Sequence, residues 1–290
     1  MRITNQQLFN RIVEFSNQSR AKSTRLQDQI SSGKRVTKPS DDSFAFGSGE
    51  ALKQKIQQNK IFQENINEGL FQARNAQNQL DSVKDQLFAL KTIATKGANE
   101  GVLDQEEFDI LAEETEGIRE TIVESLNFQA NGRFLFSGTA TQTKSFEISG
   151  TGVNFNGNSE NLSVNVSDSQ SVDISVTGDE LTSVFSTLEN VQIALEAGDA
   201  DAVRSELGNI DDAVDKVTNE TSDIGRSINL LELSREQIEQ TNILNSGELS
   251  ELTDTDLIEA TSLLQQQQFS FQAALAANSR ITQTSLLNFL

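Results

Sequence analysis

Apolar residues recur along the first thirty positions at the spacing of one face of an α-helix. These positions are Leu8, Ile12, Phe15, Leu26 and Ile30, here called the N-terminal stripe. The stripe is narrow, because the polar residues Ser19 and Lys22 interrupt it. A helix with so little apolar surface is marginal by itself in water. We therefore expect this segment to be mobile in the free monomer and ordered in an assembly.

Two longer segments show the strongest helical periodicity. From Leu52 to Ala94, apolar residues keep helical spacing with a single glycine, Gly69, inside the run. From Ile210 to Ile238, the spacings alternate between four and three residues, as in a coiled-coil seam. We predict that these segments form long helices that pack antiparallel, with another helix alongside over 104–130.

Cap and turn residues predict where several helices begin and end. Asp104 and Glu107 have the spacing of a capping box, which places a helix start just after a glycine-containing break. The sequence GDAD near 198 separates a short helix, starting around Val184, from the long one that follows. The stretch 245–256, NSGELSELTDTD, predicts a further break before the last helical segment.

Residues 134–178 differ from the rest because apolar and polar residues alternate there. The alternating apolar positions are Leu162, Val164, Val166, Val172, Ile174 and Val176. Period-two alternation between turn-forming residues predicts short strands. The predicted fold is mainly α: a long antiparallel helical bundle or coiled coil, with a small inserted β domain and helical terminal segments. Its predicted parts are terminal assembly helices (1–42 with 247–290), a helical body (43–134 with 182–246) and the β-rich insertion (135–181).

The last segment, 257–290, carries only two charged residues, Glu259 and Arg280. Its apolar positions are Leu264, Phe271, Leu275 and Ile281, here called the C-terminal stripe, and the end residues Leu286, Leu287 and Phe289. A long helix without charges on its outer face is unusual for a solvated monomer. Because charges would have to be desolvated on association, we predict that this stripe meets the N-terminal stripe across subunits.

The composition excludes several classes of enzyme and partner. The 290 residues contain no histidine and no cysteine, so Ser-His-Asp and Cys-His catalysis and thiol metal sites are impossible. We predict no catalytic, cofactor-binding or metal-binding residues and no enzyme, although chemistry based on carboxylates alone stays open. The net charge of −20 disfavours nucleic acid and anionic membranes as partners.

The charge is unevenly distributed along the chain. The first 42 residues contain eight basic and four acidic residues, a net charge of +4, which leaves −24 for the remainder. A basic segment could bind nucleic acid, but bases spaced along a helix are more typical of a face that awaits a protein partner. No apolar stretch is long enough to span a membrane, and no apolar region follows the N-terminus as in a cleavable secretory signal.

The single proline of the chain lies in a stretch that predicts a bend. Gly33 is suited to end the first helix, and Pro39 cannot continue it. Ser40 is predicted to cap the next helix, with Asp41 and Asp42 favourable at its positive end. These five residues form the predicted bend between a terminal helix and the helical body.

Several motifs resemble the flagellin superfamily over both ends and the helical body, about 240 residues. The sequence LQDQISSGKRVTKPSDD at 26–42 is similar to the N-terminal signature, and SLLNFL is similar to the C-terminal end. Pro39-Ser40-Asp41-Asp42 resembles the form found in hook-filament junction proteins, as do Asn131-Gly132-Arg133 and the following Leu135 to Gly138. The sequence DIGRSINLLE at 223–232 is a looser match.

The resemblance implies a structural protein that forms an adaptor ring between hook and filament through its terminal helices. It implies a homo-oligomer whose neighbours are the other junction protein on the hook side and flagellin on the filament side. An export chaperone would bind the C-terminal region, and the chain would leave the cell through the flagellar type III pathway to become extracellular. The alternatives are filament flagellin itself, a soluble coiled-coil binding module or a bacterial lytic enzyme.

Overall fold

The structure is a computed structural model that describes the backbone of residues 2–99 and 104–287, without the side chains of 2–6, 8–9 and 277–287. Its helices are α1 (Arg2–Ser32), α2 (Ser43–Gly97), α3 (Gln105–Leu126), α4 (Thr182–Glu196), α5 (Ala200–Thr253) and α6 (Leu257–Leu287). Its strands are β1 (Gln129–Ala130), β2 (Arg133–Phe134), β3 (Phe146–Ser149), β4 (Gly152–Phe155), β5 (Ser163–Asn165) and β6 (Ser171–Asp173). The predicted mainly α fold with a small β region is confirmed.

The chain divides into two compact units. Residues 1–58 and 241–290 form one, here called the terminal unit, and residues 59–240 form the other, the central unit. This division is simpler than the three predicted parts, since the β region belongs to the same unit as the helices around it. The three-part organisation of the sequence analysis stays a prediction.

Within the central unit, α2 and α5 pack antiparallel. Arg74 Nη2 donates to Glu232 Oε1 at 2.6 Å, and Lys91 forms an ion pair with Asp211. The later residue on α2, Lys91, pairs with the earlier residue on α5, Asp211, so the two helices run in opposite directions. The predicted antiparallel pairing is therefore confirmed.

The core of the central unit follows a seven-residue repeat on α5. The repeat comprises the buried residues Ile210, Val217, Ile224, Leu231 and Ile238. They pack in one cluster with buried residues of α2, among them Ile66, Leu80 and Leu87. Apolar residues at this spacing form the seam between coiled helices, so the α5 pattern identified in the sequence is the inner face of the helix.

The predicted helix ends at 104 and 198 are also present. Asp104 Oδ1 accepts a hydrogen bond from Glu107 N at 2.9 Å, and Asp104 N donates to Glu107 Oε2 at 3.0 Å, which completes the capping box of α3. Gly198 has a φ of 64°, and Asp199 Oδ1 accepts from Ala202 N at 2.9 Å at the start of α5. A glycine after one helix and an aspartate before the next separate α4 from α5.

The β region consists of three two-stranded antiparallel sheets, β1–β2, β3–β4 and β5–β6. The Phe146 ring lies 4.9 Å from that of Phe185 on α4 and 5.4 Å from that of Phe155, measured between centroids. Asn131 (φ 51°) and Gly132 (φ 74°) form a tight hairpin between β1 and β2, and Asn131 Nδ2 donates to Glu68 Oε1 at 3.2 Å. Aromatic packing and this contact attach the β region to the helices.

Arg119 on α3 is buried and connects three elements. Its Nη1 donates to Thr151 O at 2.6 Å and to Gln192 Oε1 at 2.7 Å, and its Nη2 contacts Glu116 Oε1 at 3.1 Å. Thr151 lies in the turn between β3 and β4, and Gln192 lies on α4. The guanidinium thereby joins the β3–β4 hairpin to two helices.

One predicted boundary is wrong. The stretch 245–256 is not a break over its whole length, because α5 continues through Gly247 to Thr253. A helical glycine costs only about 1 kcal/mol relative to alanine, so Gly247 does not end the helix. The helix α2 begins at Ser43, close to the start predicted just after Ser40. Among the described helices, none has the length and apolar character to cross a membrane.

Candidate assembly site

The terminal unit buries very few apolar side chains. Among its described residues, the buried hydrophobic ones are Val36, Ala45 and Ala260. The hydrophobic core cluster lies entirely within residues 66–238. The described residues of the helices predicted to assemble therefore form no hydrophobic core of their own.

The N-terminal stripe is only partly covered within the chain. Ile12, Leu26 and Ile30 are half-buried, and Phe15 is 44% exposed. The side chain of Leu8 lies outside the described residues. Each described member of the stripe keeps apolar surface that a further partner could cover.

The C-terminal stripe shows the same partial burial. Leu264 and Phe271 are half-buried, and Leu275 is 47% exposed. Phe269, which the sequence analysis did not select, is 74% exposed. The side chains of Ile281, Leu286 and Leu287, and the whole of Phe289, lie outside the described residues.

The helices that carry the two stripes, α1 and α6, pack against each other in one chain. Their contact is partly polar, because Gln267 Nε2 donates to Ser19 Oγ at 2.7 Å and Ser19 is only 2% exposed. A groove of about 330 Å³ between the helices is lined by Ser23, Gln268 and Phe271. The helices of the two stripes pack together within the chain, and the predicted contact of the stripes between subunits stays a prediction.

The first half of the predicted bend has the expected geometry. α1 ends at Ser32, and Gly33 has a φ of 70°, a conformation that glycine adopts without steric cost. Pro39 follows Lys38 in a turn that is closed by a hydrogen bond from Asp41 N to Lys38 O at 3.0 Å. Proline is favoured at this second position of a turn because its φ is already fixed.

The cap of the next helix is Asp42, and the prediction of Ser40 as the cap was wrong. Asp42 Oδ1 accepts from Ala45 N at 3.0 Å, at the start of a helix that begins at Ser43. Ser40 is exposed in the turn, too far upstream to reach the free N–H groups. Asp41 closes the bend instead, since its Oδ2 accepts from Thr37 N and Lys38 N, each at 3.2 Å.

The bend is attached to the junction between α5 and α6. Arg35 N donates to Thr253 O at 2.7 Å, and Thr255 N donates to Gly33 O at 2.9 Å. Lys34 forms an isolated antiparallel bridge and an ion pair with Asp254. Sequence reasoning missed this junction, because nothing local in the sequence relates two loops that lie some 220 positions apart.

Hydrogen bonds stabilise the charged form of three carboxylates here. The Lys34 ammonium lowers the pKa of Asp254 below its ordinary value. The backbone N–H of Thr37 lowers the pKa of Asp41, and that of Ala45 lowers the pKa of Asp42. All three are therefore ionised at neutral pH, where they hold the bend and cap the helix.

The sequence and the fold both match flagellar proteins. The family model for the bacterial flagellin N-terminal helical region matches residues 3–141, and that for the C-terminal helical region matches residues 207–290. Flagellar hook-associated protein 3 of Escherichia coli (strain K12) is 25% identical to this chain, and the alignment covers 96% of both. The same-named protein of Salmonella typhimurium is 28% identical over 62% of this chain and 56% of its own length.

Solved structures show the same similarity. A flagellar hook-associated protein from Vibrio parahaemolyticus matches with a TM-score of 0.67 and 25% identity, over 74% of this chain and 100% of that one. The flagellar junction protein FlgL from Legionella pneumophila shares the fold with a TM-score of 0.61 and 16% identity, over 71% of this chain and 100% of that one. Since the two flagellin regions together match most of its length, the chain belongs to the bacterial flagellin family, with flagellar hook-associated proteins among its relatives.

Proposed function

We propose that the chain is a structural adaptor of the bacterial flagellum that forms a ring between hook and filament. The observation that carries the proposal is the contrast between a well-packed central unit and a terminal unit with three described buried hydrophobic residues. The similarity to hook-associated and junction proteins supports the location. The neighbours would be the other junction protein on the hook side and flagellin on the filament side.

Ordering the terminal helices costs conformational entropy that apolar burial has to offset. Fixing the backbone costs about 1–2 kcal/mol per residue, whereas full burial of one large apolar side chain contributes about 1.5–3 kcal/mol. The buried apolar side chains among the described residues of the terminal unit are too few to offset that cost within one chain. Neighbouring copies supply the missing burial, so the terminal helices are mobile in the free protein and become ordered in the ring.

The absence of cysteine and the mobility of the chain ends support passage through an export channel. A chain without cysteine forms no disulfide that would have to be opened before export, and mobile ends are easily threaded. The weakly charged segment 257–290 would be covered by an export chaperone before assembly. The functional location is then extracellular, in the flagellum.

A matched pair of variants in α6 tests the proposal. Leu264→Asp places a charge on the half-buried side of α6, and Gln265→Asp places one at an exposed neighbouring position. In cells that depend on this protein for motility, the first variant should be exported but fail to retain filaments, so that flagellin accumulates in the medium. The second variant should support normal filaments.

Export and assembly are separated by assaying the protein in the culture medium as well as in isolated flagella. Leu264→Asp protein that is present in the medium and absent from flagella is the expected result. Full-length filaments in cells that make only this variant would overturn the role of the terminal helices. Retention inside the cell with loss of chaperone binding would show that position 264 serves export instead.

A further inference from the structure

Phe44, in the first turn of α2, carries an exposed phenyl group in the terminal unit. Its side chain is 76% exposed. The same flank of the helix continues with Gly47, Ser48 and Ala51, which follow Phe44 by three, four and seven residues. These neighbours are small and uncharged, and a side chain added at Gly47 would meet open space. This flank, here called the Phe44 flank, therefore presents one large apolar group that another helix can approach closely.

A cavity of about 230 Å³ lies beside the bend, on another flank of α2. This α2 cavity is lined by Val36 and Thr253, which are 6% and 4% exposed, and by the half-buried side chain of Phe46. An apolar cavity of about 150 Å³ is large enough to bind benzene. The α2 cavity therefore has room for one phenyl group, which would contact a second aromatic side chain there.

Phe44 does not reach the α2 cavity of its own chain. Lys53, on the rim of the cavity, follows Phe44 by nine residues, which is two and a half turns of the helix. The two side chains therefore point in opposite directions. Lys53 Nζ contacts Glu50 Oε1 of the same rim at 2.7 Å, so a cation and an anion are paired at the entrance. A phenyl group that fills the cavity has to come from another molecule.

We propose that Phe44 of one copy inserts into the α2 cavity of the next copy. This rests on the proposed function and specifies one contact between neighbours in the ring. The two α2 helices then lie side by side and run in the same direction, as equivalent helices of a ring do. Phe44 lies opposite Gly49 of the next copy, and Ser48 lies opposite Lys53. The neighbouring helices are thereby shifted by five residues, about 7.5 Å along the helix.

A second copy is the occupant that the charges favour. From Phe44 to Ala51 the Phe44 flank carries no charge, and the Glu50–Lys53 pair of the rim is neutral. No unpaired charge is therefore desolvated when the two surfaces meet. The terminal unit as a whole contains 11 basic and 10 acidic residues, a net charge of +1, so copies approach each other there with little repulsion.

The area of the contact explains why it belongs to an assembly. One phenylalanine buries about 150–250 Å², far below the roughly 1,200 Å² of a stable complex between free proteins. The contact therefore forms between copies that further contacts already hold in place. Because two different surfaces meet, the contact is head-to-tail, and its repetition closes a ring when the rotation is suitable.

Cysteine cross-linking tests the contact while Phe44 stays in place, because the natural chain has no cysteine. The variant carries Ser48→Cys together with Lys53→Cys, and isolated flagella are oxidised and analysed on a non-reducing gel. Within one chain the two positions are about 7.5 Å apart along the helix and on different flanks, whereas a disulfide needs Cα atoms within about 7 Å. We expect a ladder of dimers, trimers and larger species, as a head-to-tail contact requires.

Two matched controls show whether the position and the phenyl group matter. Ser48→Cys with Lys55→Cys places both cysteines on the Phe44 flank, seven residues apart, and should give no ladder. Adding Phe44→Ala to the first variant should reduce the cross-linked fraction about tenfold, because the buried apolar group is lost. Adding Phe71→Ala instead, at an exposed phenylalanine of the central unit, should leave that fraction unchanged.

The outcomes separate this contact from the proposed function. If the variant is present in flagella without a ladder, the contact is wrong and the adaptor role stands. A ladder that survives Phe44→Ala, or that forms equally from the control pair, also overturns the contact. If the natural chain is absent from flagella, the adaptor role fails and the contact fails with it. If only the variant is absent, Thr37→Cys on the same rim replaces Lys53→Cys, and its ladder decides.

Discussion

The central and terminal units of this chain differ in both packing and charge. The central unit contains 12 basic and 33 acidic residues, a net charge of −21, whereas the terminal unit contains 11 basic and 10 acidic residues, a net charge of +1. The central unit also holds the whole hydrophobic core cluster. A dense core can hold a unit together against strong self-repulsion. The terminal unit, whose described residues form no hydrophobic core, is nearly neutral and can approach copies of itself with little electrostatic cost.

The largest effect on stability is expected from a charge placed in the core of the central unit, which tests the difference in packing between the two units. Ile224→Asp buries an unpaired carboxylate at a position that is 2% exposed. We expect a loss of more than about 4 kcal/mol in the free energy of unfolding, measured by chemical denaturation with far-ultraviolet circular dichroism. Asn229→Asp, exposed on the same helix, should change it by less than about 0.5 kcal/mol. Equal stability of the two variants would show that the seven-residue repeat is not the inner face of α5.

A smaller effect is expected when the attachment of the β3–β4 hairpin is removed. Arg119→Met leaves Thr151 O and Gln192 Oε1 without their donor, at a cost of about 2–4 kcal/mol. Limited proteolysis should then cut within 146–155 before the helices unfold. Arg119→Lys keeps a cation and should lose less. Unchanged protection of the hairpin in Arg119→Met would contradict the role of this side chain.

The bend of the terminal unit is tested by two glycines that both have free space around them. Gly33→Ala places a side chain at a φ of 70° and should destabilise the bend by about 1–2 kcal/mol. Gly47→Ala lies within α2 and should stabilise its helix by up to about 1 kcal/mol. Hydrogen exchange at Arg35 N and Thr255 N reports on the bend. Faster exchange in both variants would mean that side-chain volume, and not backbone conformation, is decisive.

The smallest expected effect is a pH dependence confined to acid. The pKa of Asp254 is lowered in the folded chain by Lys34, so its contribution is fully present above the ordinary aspartate value of 3.8 and is lost as pH falls through the lowered value. The protection factor of Thr255 N, which is the exchange rate corrected for the intrinsic rate at each pH, should therefore fall only below about pH 4. Asp254→Asn should remove most of this acid response. Because the chain has no histidine, a transition between pH 5 and 8 would contradict this assignment.

The features best predicted from the sequence are those that depend on neighbouring residues or on a periodic pattern of apolar residues. The repeat from Ile210 to Ile238, the capping box at Asp104 and the αL glycine at Gly33 each depend on residues within one helix or turn. The antiparallel pairing of α2 with α5 was also predictable, because two matching apolar faces have few other ways to be buried.

Features that depend on contacts between distant segments were not predictable. The bridge between Lys34 and Asp254 joins two loops whose sequences contain no sign of each other. Ser40 and Asp42 are both good capping residues, and only the turn at Pro39 decides which one reaches Ala45 N. The intrachain packing of α1 on α6 includes the polar Ser19, which the apolar pattern had marked as a weakness.

The seven-residue repeat on α5 also determines which helix of the central unit a neighbouring molecule can contact. Straight helices gain 3.6 residues per turn, so a seven-residue repeat makes the α2–α5 pair wind around a common axis in a left-handed sense. From Ile210 to Ile238 the pair extends about 42 Å, which is a little over a quarter of a typical pitch of about 150 Å. A straight neighbour that contacts mainly α2 at one end of the pair therefore contacts both helices about equally at the other end.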